Sequence, residues 1–326
     1  MEADLVTRAG IPFTTVPAAG LHGVGTRIFG NLVKMLRGYL AARKLVAEFQ
    51  PQVLFFTGGY VAAPVGLAGR TIPTLVCLPD IEPGLAIRLL TRFADHITVP
   101  AEESLAFFPA SKAVTVTGYP TRAELAHWDK DQARTELQLQ PDLPTLLVMG
   151  GSLGARSINR ALFNILPDLL PRVQVIHLTG QITWPEVEAV VAALPGQLRT
   201  SYHPFPYLHE RIGAAFAAAD LVVSRAGASI LGELPLFALP AILVPYPHAW
   251  RYQKVNAEYL ASRGAAVVLP DQDLAHKLSS QIQDILFDQH RIKQMSTAMA
   301  SLAKPEAARH IASLLRHMST QAGGTH

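Results

Sequence analysis

The stretch from residue 221 to residue 257 constrains the fold of this 326-residue chain more than any other. A short apolar run ends at Val223, a turn containing Gly227 follows, and an apolar helical stretch leads to a second run at residues 241–244. Short apolar runs that alternate with helical stretches are typical of parallel βαβ units. Backbone N–H groups at a glycine turn that opens a helix bind anions such as a diphosphate.

Polar side chains in this stretch predict a nucleotide-sugar pocket. Glu233 lies between Leu231 and Leu234 in an otherwise apolar helix, and a buried carboxylate needs a partner. A ribose diol fits, because its two hydroxyls can both donate to a carboxylate. One βα unit further on, amide and guanidinium groups suit sugar hydroxyls, and a polar cluster is formed there by His248, Arg251, Gln253 and Asn256.

The same alternation runs through the whole chain and predicts two parallel α/β sheets. The first series of predicted strands covers residues 53–56, 73–77, 96–99 and 113–116. The second covers 145–149, 173–178, 199–202, 221–223, 241–244 and 266–269. Between the two series, residues 121–142 are rich in charge and end in a proline-bounded turn, so we predict a domain boundary there, with domains 1–122 and 123–304.

Composition excludes several classes of protein. A hydrophobic content of 49% with 16% charged residues indicates a globular chain with a large core. The net charge of +3 is too small to argue for nucleic acid, although it permits contact with anionic lipid. The single cysteine, Cys77, allows no disulfide within the chain and is predicted to be an inert core residue. No secretory signal and no membrane-spanning run is visible.

Four ordered motifs carry a family resemblance. They are residues 221–257, the glycine-rich loop 150–156, the Gly58-Gly59-Tyr60 turn and the segment 116–122. Together they resemble the MurG family, whose members transfer GlcNAc to lipid-linked muramyl-pentapeptide. The resemblance implies a GT-B fold, in which two Rossmann-like doubly wound domains face a cleft. It also implies that residues 305–326 return to the first domain, that UDP-GlcNAc and an undecaprenyl-diphosphate-linked muramyl-pentapeptide are the substrates, and that no cofactor or metal takes part.

The resemblance assigns site residues to both sides of the cleft. On the donor side it implies Ser152, Gly154, Arg122, Arg225, Gly227, Ala228, Glu233, His248, Gln253 and Asn256. On the acceptor side it implies Gly58, Gly59, Tyr60 and Asp80. Simpler roles compete at five places. The glycine-rich loop 150–156 and the Gly58-Gly59-Tyr60 turn could be plain βα turns, and Glu233 could be a solvated helix residue. Arg122 could form a surface salt bridge, and His248 could cap a helix end.

This chain departs from the family pattern in two ways. The family's polar His-Glu-Gln-Asn run is replaced by Cys77-Leu78-Pro79-Asp80, and Trp250 and Tyr252 stand where polar residues are usual. The family's opening strand and glycine loop, with the catalytic His, have no counterpart, which predicts a truncated first domain, UDP binding and poor turnover. Asp80 is then the remaining candidate base. Two alternatives stay open: a related UDP-sugar transferase with another acceptor, and a non-catalytic nucleotide-sugar-binding remnant.

A basic amphipathic helix is predicted at residues 27–45. Its apolar stripe is flanked by basic residues, a pattern that suits the surface of an anionic membrane, although packing on the sheet competes for the stripe. The predicted membrane contacts are Ile28, Phe29, Leu32, Lys34, Leu36 and Arg37. The resemblance implies peripheral attachment at the cytoplasmic face of a bacterial plasma membrane.

Overall fold

The structure is a computed structural model that describes residues 6–7, 9–18, 27–59, 61–151, 154–248 and 251–323, with the backbone alone at 27–29, 32, 322 and 323. Two parallel sheets form its framework. The first has four strands in the order β1-β2-β3-β4, and the second has six in the order β10-β9-β8-β5-β6-β7. The predicted α/β class is confirmed.

The first sheet is built from short strands whose connections carry helices. Its strands are β1 Leu54–Phe56, β2 Thr74–Cys77, β3 His96–Val99 and β4 Ala113–Val116. The helices around it are α1 Arg27–Phe49, α2 Ala62–Ala68 and α3 Leu85–Leu90, with a 3-10 turn at Glu102–Phe107. All four residues of β2 are buried, as expected for a parallel strand covered on both faces.

The second sheet is larger and contains most of the core. Its strands are β5 Thr145–Met149, β6 Gln174–Leu178, β7 Tyr202–Phe205, β8 Leu221–Ser224, β9 Ala241–Leu243 and β10 Ala266–Val268. Successive residues of the central strand β5 point to opposite faces: Leu146 and Val148 join one buried cluster, and Leu147 joins the other. Helices therefore cover both faces of this sheet, as in a doubly wound domain.

The helices of the second half begin with α4 Lys130–Glu136, which follows a 3-10 turn at Ala123–His127. Asp129 caps α4 by accepting from the backbone N–H groups of Asp131 and Gln132. The remaining helices are α5 Arg156–Leu169, α6 Trp184–Ala193, α7 Gly196–Arg199, α8 Ile212–Ala218, α9 Ile230–Leu236, α10 Tyr252–Ser262, α11 Leu274–Leu286, α12 Gln289–Ala300 and α13 Ala307–Gly323. Short 3-10 turns lie at Gln181–Thr183, His209–Arg211 and Asp271–Asp273.

One predicted strand was misplaced along the chain. The sequence predicted a strand at residues 199–202, whereas β7 runs from Tyr202 to Phe205 and Arg199 ends the short helix α7. The guanidinium of Arg199 donates to the carbonyls of Leu194 (2.9 Å) and Ala192 (2.7 Å). These carbonyls lie at the end of α6, where a helix has no internal donors, so Arg199 serves a helix end and not a sheet.

The last helix packs on the first sheet. Ile311 and Met318 of α13 form a buried cluster with Leu75 and Cys77 of β2. Burial raises the pKa of the Cys77 thiol, which keeps the thiol neutral and poorly nucleophilic. The chain thus passes from the first sheet to the second and returns to the first at its end.

The order of strands defines a crevice at the centre of the second sheet. Strand β5 lies between β8 and β6, so the chain leaving β5 and the chain leaving β8 diverge to opposite sides. Ligands of open parallel sheets bind outside the carboxyl ends of the strands at such a switch point. The loops after β5 and β8 are the two glycine-containing turns singled out in the sequence.

Candidate active site

The glycine-rich loop after β5 exposes its backbone at this crevice. Gly154 has φ of +77°, and a Cβ there would lie 2.3 Å from the carbonyl oxygen of Thr179, so both its conformation and its position require glycine. The N–H of Gly154 donates to the carbonyl of Gly151 (3.0 Å), which tightens the loop just before α5 begins. Ser152, which the sequence predicted to contact a phosphate or sugar, lies outside the described residues.

A buried polar network holds this loop from behind. His177 is fully buried, and its Nε2 lies 3.0 Å from Oδ1 of Asn159 while its Nδ1 lies 2.8 Å from the hydroxyl of Tyr202. Because Asn159 Oδ1 can only accept, Nε2 carries the proton and Nδ1 accepts from Tyr202. The amide of Asn159 then donates to the carbonyl of Thr179, beside Gly154, and to the hydroxyl of Thr183.

Burial lowers the pKa of His177 to about 3, so the imidazole is neutral in the folded protein. This network was not predicted from the sequence. Asn159 lies on α5 shortly after the glycine-rich loop 150–156, and the other partners come from β6 and the residue after it, from β7 and from the turn before α6. The network holds the carbonyl of Thr179 in place beneath the glycine loop. Its polar groups all have hydrogen-bond partners, and a fully satisfied buried network of this kind is rigid.

A pocket of about 160 Å³ opens beside the glycine loop. Glu233 and Ser229 from α9 and its preceding turn face Arg122 and Gly151 across it. Burial raises the pKa of the Glu233 carboxyl, opposed by a hydrogen bond from Ser229 and by the charge of Arg122. A half-buried carboxylate next to one exposed arginine suits a ligand that donates hydroxyls to the first and offers negative charge to the second.

The rest of this pocket is mostly apolar and was not predicted. Its walls come from residues at or just after the carboxyl ends of β5, β6 and β7, together with α8: Met149, Leu178, Gly180, Pro206, Tyr207, Leu208, His209, Ile212 and Phe216. Tyr207 and His209 make an edge-to-face ring contact at 4.5 Å. These residues could have been found from the sequence by their position directly after predicted strands, because the carboxyl ends of parallel strands meet at one edge of the sheet.

A second, larger cavity of about 380 Å³ lies between the two sheets' edges. From the first sheet it is lined by Thr57, Gly58, Gly59, Leu78, Pro79, Asp80, Gly84, Leu85, Ala86 and Ile87, and from α10 by Tyr252. Gly59 has φ of +85° and no described atom near the place of a Cβ, so its backbone is open to the cavity. Tyr60, a predicted acceptor contact, lies outside the described residues.

Polar contacts tie the two sides of the cleft together next to this cavity. The amide nitrogen of Asn256 donates to Asp80 Oδ1 (2.8 Å) and to the carbonyl of Ala226 (3.1 Å), and its oxygen accepts from the N–H of Ile81 (3.1 Å). Burial raises the pKa of the Asp80 carboxyl, and the bond from Asn256 opposes that rise. One turn away, Arg251 pairs with the buried carboxylate of Glu82 (N···O 2.6 Å).

Comparison with known proteins decides the family. A model of the glycosyltransferase family 28 C-terminal domain matches residues 145–311, and one of the N-terminal domain matches residues 1–99. The UDP-N-acetylglucosamine–N-acetylmuramyl-(pentapeptide) pyrophosphoryl-undecaprenol N-acetylglucosamine transferase of Roseiflexus sp. (strain RS-1) is 41% identical over 97% of this chain and 81% of that protein. The enzyme of the same description from Desulforamulus reducens is 38% identical over 94% of this chain and 85% of that protein.

The chain belongs to glycosyltransferase family 28. Among solved structures, MurG of Acinetobacter baumannii superposes with a TM-score of 0.75 at 26% identity, covering 97% of this chain and 88% of that one. UDP-GlcNAc 2-epimerase from Neisseria meningitidis bound to UDP-GlcNAc has a TM-score of 0.67 at 12% identity and shares the fold alone. The family resemblance and the GT-B fold predicted from the sequence are confirmed, and the chain is an enzyme of the glycosyltransferase class.

Within this glycosyltransferase, Arg225 makes its contacts inside the second domain. Its guanidinium pairs with Asp271 (2.5 Å) and donates to the hydroxyl of Ser157 (2.7 Å) and the carbonyl of Val244 (3.1 Å). Only 10% of its side chain is exposed, and it does not line the 160 Å³ pocket. Its predicted contact with the donor stays a prediction, and the contacts found anchor the turn that leads to Gly227 and Ala228.

The other predicted donor residues are arranged around one loop. Gln253 accepts from the backbone N–H of Tyr246 through its side-chain oxygen (2.8 Å). His248 is exposed and meets the ring of Tyr246 edge to face at 5.4 Å. Asn256 is fully buried, with both amide hydrogens already donated, so its role towards the donor sugar also stays a prediction. Trp250 lies outside the described residues.

Helix α1 exposes an apolar surface with basic neighbours. Leu36 and Leu40 are 59% and 57% exposed, and Lys34 and Arg37 are exposed beside them. The side chains of Ile28, Phe29 and Leu32 lie outside the described residues. Within the described ranges, no helix is long and apolar enough to cross a membrane. Nor do those ranges contain a group of three or more His, Cys, Asp or Glu side chains arranged to hold a metal ion.

Proposed function

We propose that this glycosyltransferase moves GlcNAc from UDP-GlcNAc to the muramyl sugar of an undecaprenyl-diphosphate-linked muramyl-pentapeptide. Its family membership supports the class of reaction, and the printed descriptions of its relatives name these substrates. The observation that carries the proposal is the pocket at the switch point, where Glu233, Arg122 and the glycine loop meet. Asn256 connects the larger cavity, which is lined by Gly58, Gly59 and Asp80, to the turn before α9, because it donates to both Asp80 and the carbonyl of Ala226.

The nucleotide part of the donor would lie at the smaller pocket in a definite orientation. The base would lie among the apolar residues after β6 and β7, where Tyr207 and Leu208 form a wall. The ribose hydroxyls would donate to the Glu233 carboxylate, and the diphosphate would face the N–H groups of the loop before the 14-residue helix α5. Arg122 would add a positive charge near the phosphates.

The reaction would be a single displacement with inversion. The muramyl C4 oxygen attacks C1 of GlcNAc, its proton passes to a base, and the bond from C1 to the UDP oxygen breaks. Backbone N–H groups and Arg122 would stabilise the charge that develops on UDP. Asp80 is the candidate base on this chain, because it lines the larger cavity and burial raises its pKa towards the range useful for proton transfer.

A transfer assay tests the proposal directly. The protein is incubated with labelled UDP-GlcNAc and a short-chain muramyl-pentapeptide diphosphoryl lipid, and formation of the labelled disaccharide lipid is followed. A parallel reaction with UDP-glucose measures selectivity for the donor sugar. UDP binding without any transfer would instead support a nucleotide-sugar-binding remnant.

A second candidate differs in the acceptor only. The wall of the larger cavity is mostly apolar, since Leu78, Pro79 and Leu85 occupy the strip where the resembled family shows a polar run. This composition favours a related UDP-sugar transferase whose acceptor is less polar than the muramyl-pentapeptide. Transfer to a panel of lipid-diphosphate sugars, with the muramyl compound inactive and another active, would decide for this candidate.

We also propose that α1 attaches the enzyme peripherally to the cytoplasmic face of the plasma membrane. Changing both Leu36 and Leu40 to Glu is expected to weaken binding to phosphatidylglycerol vesicles by about tenfold or more, because it removes apolar side chains that would insert and adds charge repelled by the lipid. Co-sedimentation at low salt measures the change. Raising the salt concentration should weaken vesicle binding by the wild-type protein, because the charges of Lys34 and Arg37 are then screened.

A matched control comes from the second domain. Ile182 is 63% exposed, so Ile182→Glu makes the same kind of change away from α1 and should leave vesicle binding intact. Equal binding of the α1 double variant and the wild type would contradict the proposal, as would wild-type protein that fails to sediment with the vesicles at low salt.

A further inference from the structure

We propose that Tyr252 is a specificity-determining residue of the acceptor site, where its ring is the surface on which the acceptor sugar packs. This inference rests on the proposed function, because it gives one residue a role towards the acceptor of that reaction. It concerns the position at which this chain carries an aromatic residue where polar residues are usual in the resembled family.

The location of the ring is the first argument. Tyr252 is the first residue of α10, which follows the second sheet, yet its side chain lines the 380 Å³ cavity. Among the residues that the structure describes, all the others that line this cavity lie between Thr57 and Ile87, in the loops and the helix that follow strands of the first sheet. Tyr252 is therefore the contribution of the donor-binding domain to the acceptor side of the cleft.

The ring packs on the backbone at the start of α3. A Cβ on Gly84 would lie 3.4 Å from the Tyr252 hydroxyl and 3.5 Å from the ring carbon that carries it, so the ring packs directly on this glycine. Burial and the nearby Glu82 raise the pKa of the Tyr252 hydroxyl, against the charge of Arg88 and the backbone of Leu85. The hydroxyl therefore stays protonated at neutral pH.

Neighbours on both sides of Tyr252 fix the start of α10. Arg251 pairs with Glu82, and Asn256 is bonded to Asp80 and Ile81, so three contacts join the start of this helix to the loop after β2. The next residue, Gln253, is bonded to the backbone of Tyr246 on the donor side. These two consecutive residues thus face opposite sides of the cleft: Tyr252 lines the acceptor cavity, and Gln253 contacts the loop on the donor side.

The chemistry of the cavity matches a pyranose linked to a diphosphate. The face of an aromatic ring carries partial negative charge and attracts the partly positive C–H groups on one face of a sugar. Asp80 can accept from a sugar hydroxyl, and the open backbone at Gly59 can meet the phosphates. The apolar side chains of Leu78 and Ile87 complete the wall, so a sugar in this cavity lies against Tyr252.

The test is an equilibrium binding experiment that needs no turnover. A fluorescent short-chain muramyl-pentapeptide diphosphoryl lipid is titrated with protein and followed by anisotropy, and UDP binding is measured separately by calorimetry. Tyr252→Ala is expected to bind the acceptor about tenfold more weakly and UDP within about twofold of the wild type. Tyr252→Phe, which keeps the ring, should bind the acceptor nearly as the wild type does.

Tyr207 provides the reciprocal variant, because it lines the donor pocket and not the acceptor cavity. Tyr207→Ala should weaken UDP binding and leave acceptor binding intact. Tyr252→Leu, which keeps apolar bulk without a ring, serves if the alanine variant does not fold, and it is also expected to bind the acceptor more weakly.

Each outcome bears on the inference. The inference is overturned if the folded Tyr252→Ala or Tyr252→Leu variant binds the acceptor with unchanged affinity. It is also overturned if the variant loses affinity for UDP and not for the acceptor. If the wild type binds UDP but not this acceptor, the proposed acceptor is wrong, and the role of Tyr252 towards it is wrong as well. If the wild type binds the acceptor and Tyr252→Ala does not, the inference is supported whether or not transfer occurs.

Discussion

Replacing Glu233 by alanine is expected to weaken UDP binding by roughly 10- to 150-fold, the equivalent of about 1.5–3 kcal/mol for hydrogen bonds to a charged group. The carboxylate is half-buried in the pocket at the switch point, where the two ribose hydroxyls would donate to it. Glu233→Gln should fall between the wild type and Glu233→Ala, because an amide oxygen still accepts but carries no charge. Calorimetric titration with UDP measures all three affinities.

The matched control for Glu233 lies on the same domain. Glu258 is exposed and pairs with Lys254 one helical turn away, so Glu258→Ala should bind UDP as the wild type does. A folded Glu233→Ala protein with the same UDP affinity as Glu258→Ala would refute the ribose role.

The raised pKa of Glu233 adds a pH signature to this prediction. If the ionised carboxylate is the form that accepts from the ribose, UDP affinity should begin to fall on acidification at a higher pH than an ordinary glutamate would produce. Titrations across the acid range would check this, with Glu233→Gln expected to lack the additional fall. An equal pH dependence in wild type and Glu233→Gln would argue that another group controls the affinity.

The unfolding free energy is expected to fall by about 1.4 kcal/mol per pH unit from His177 alone as the pH drops below 6.5, on the order of 4 kcal/mol in total by pH 3. The pKa of His177 is about 3 in the folded protein, and an unfolded histidine titrates near 6.5. Between these two values the unfolded state binds the extra proton. The stability that the neutral imidazole contributes is therefore complete above pH 6.5 and is lost as the pH falls.

Urea unfolding at several pH values isolates this contribution when variants are compared. His177→Gln keeps an acceptor for Tyr202 and a donor for Asn159 but does not titrate, so its stability should fall less steeply between pH 6.5 and 4 than that of the wild type. His290→Gln changes an exposed histidine and should follow the wild-type slope. Identical slopes for the wild type and His177→Gln would contradict a buried neutral imidazole.

The His177 network also connects stability with the donor site. Its last bond reaches the carbonyl of Thr179, and that carbonyl lies 2.3 Å from where a Cβ on Gly154 would be. Protonation of His177 would make both ring nitrogens donors, so the bond to Tyr202 would have to reverse and the Tyr202 hydroxyl proton would lose its acceptor. UDP affinity measured beside the unfolding curves would report whether the glycine loop is displaced first.

The sequence by itself determined the features that depend on neighbours along the chain. The short apolar runs at 145–149 and 221–223 predicted their strands, because a buried parallel strand needs an unbroken apolar stretch. Glu233 could be singled out because its apolar helical neighbours imply burial. The glycine loop after β5 could also be found from the sequence, because its strand, turn and helix follow one another directly along the chain.

Only the tertiary structure decided the partners of the polar side chains. Asn256 and Asp80 are 176 residues apart, Arg225 and Asp271 are 46 apart, and their hydrogen bonds leave no local pattern. The apolar wall of the donor pocket likewise comes from three strand ends and α8, and Tyr252 reaches a cavity formed by the other sheet. The physical reason is that periodicity and turn chemistry are local, whereas a hydrogen bond is specified by the position of two groups in space, which folding alone brings together.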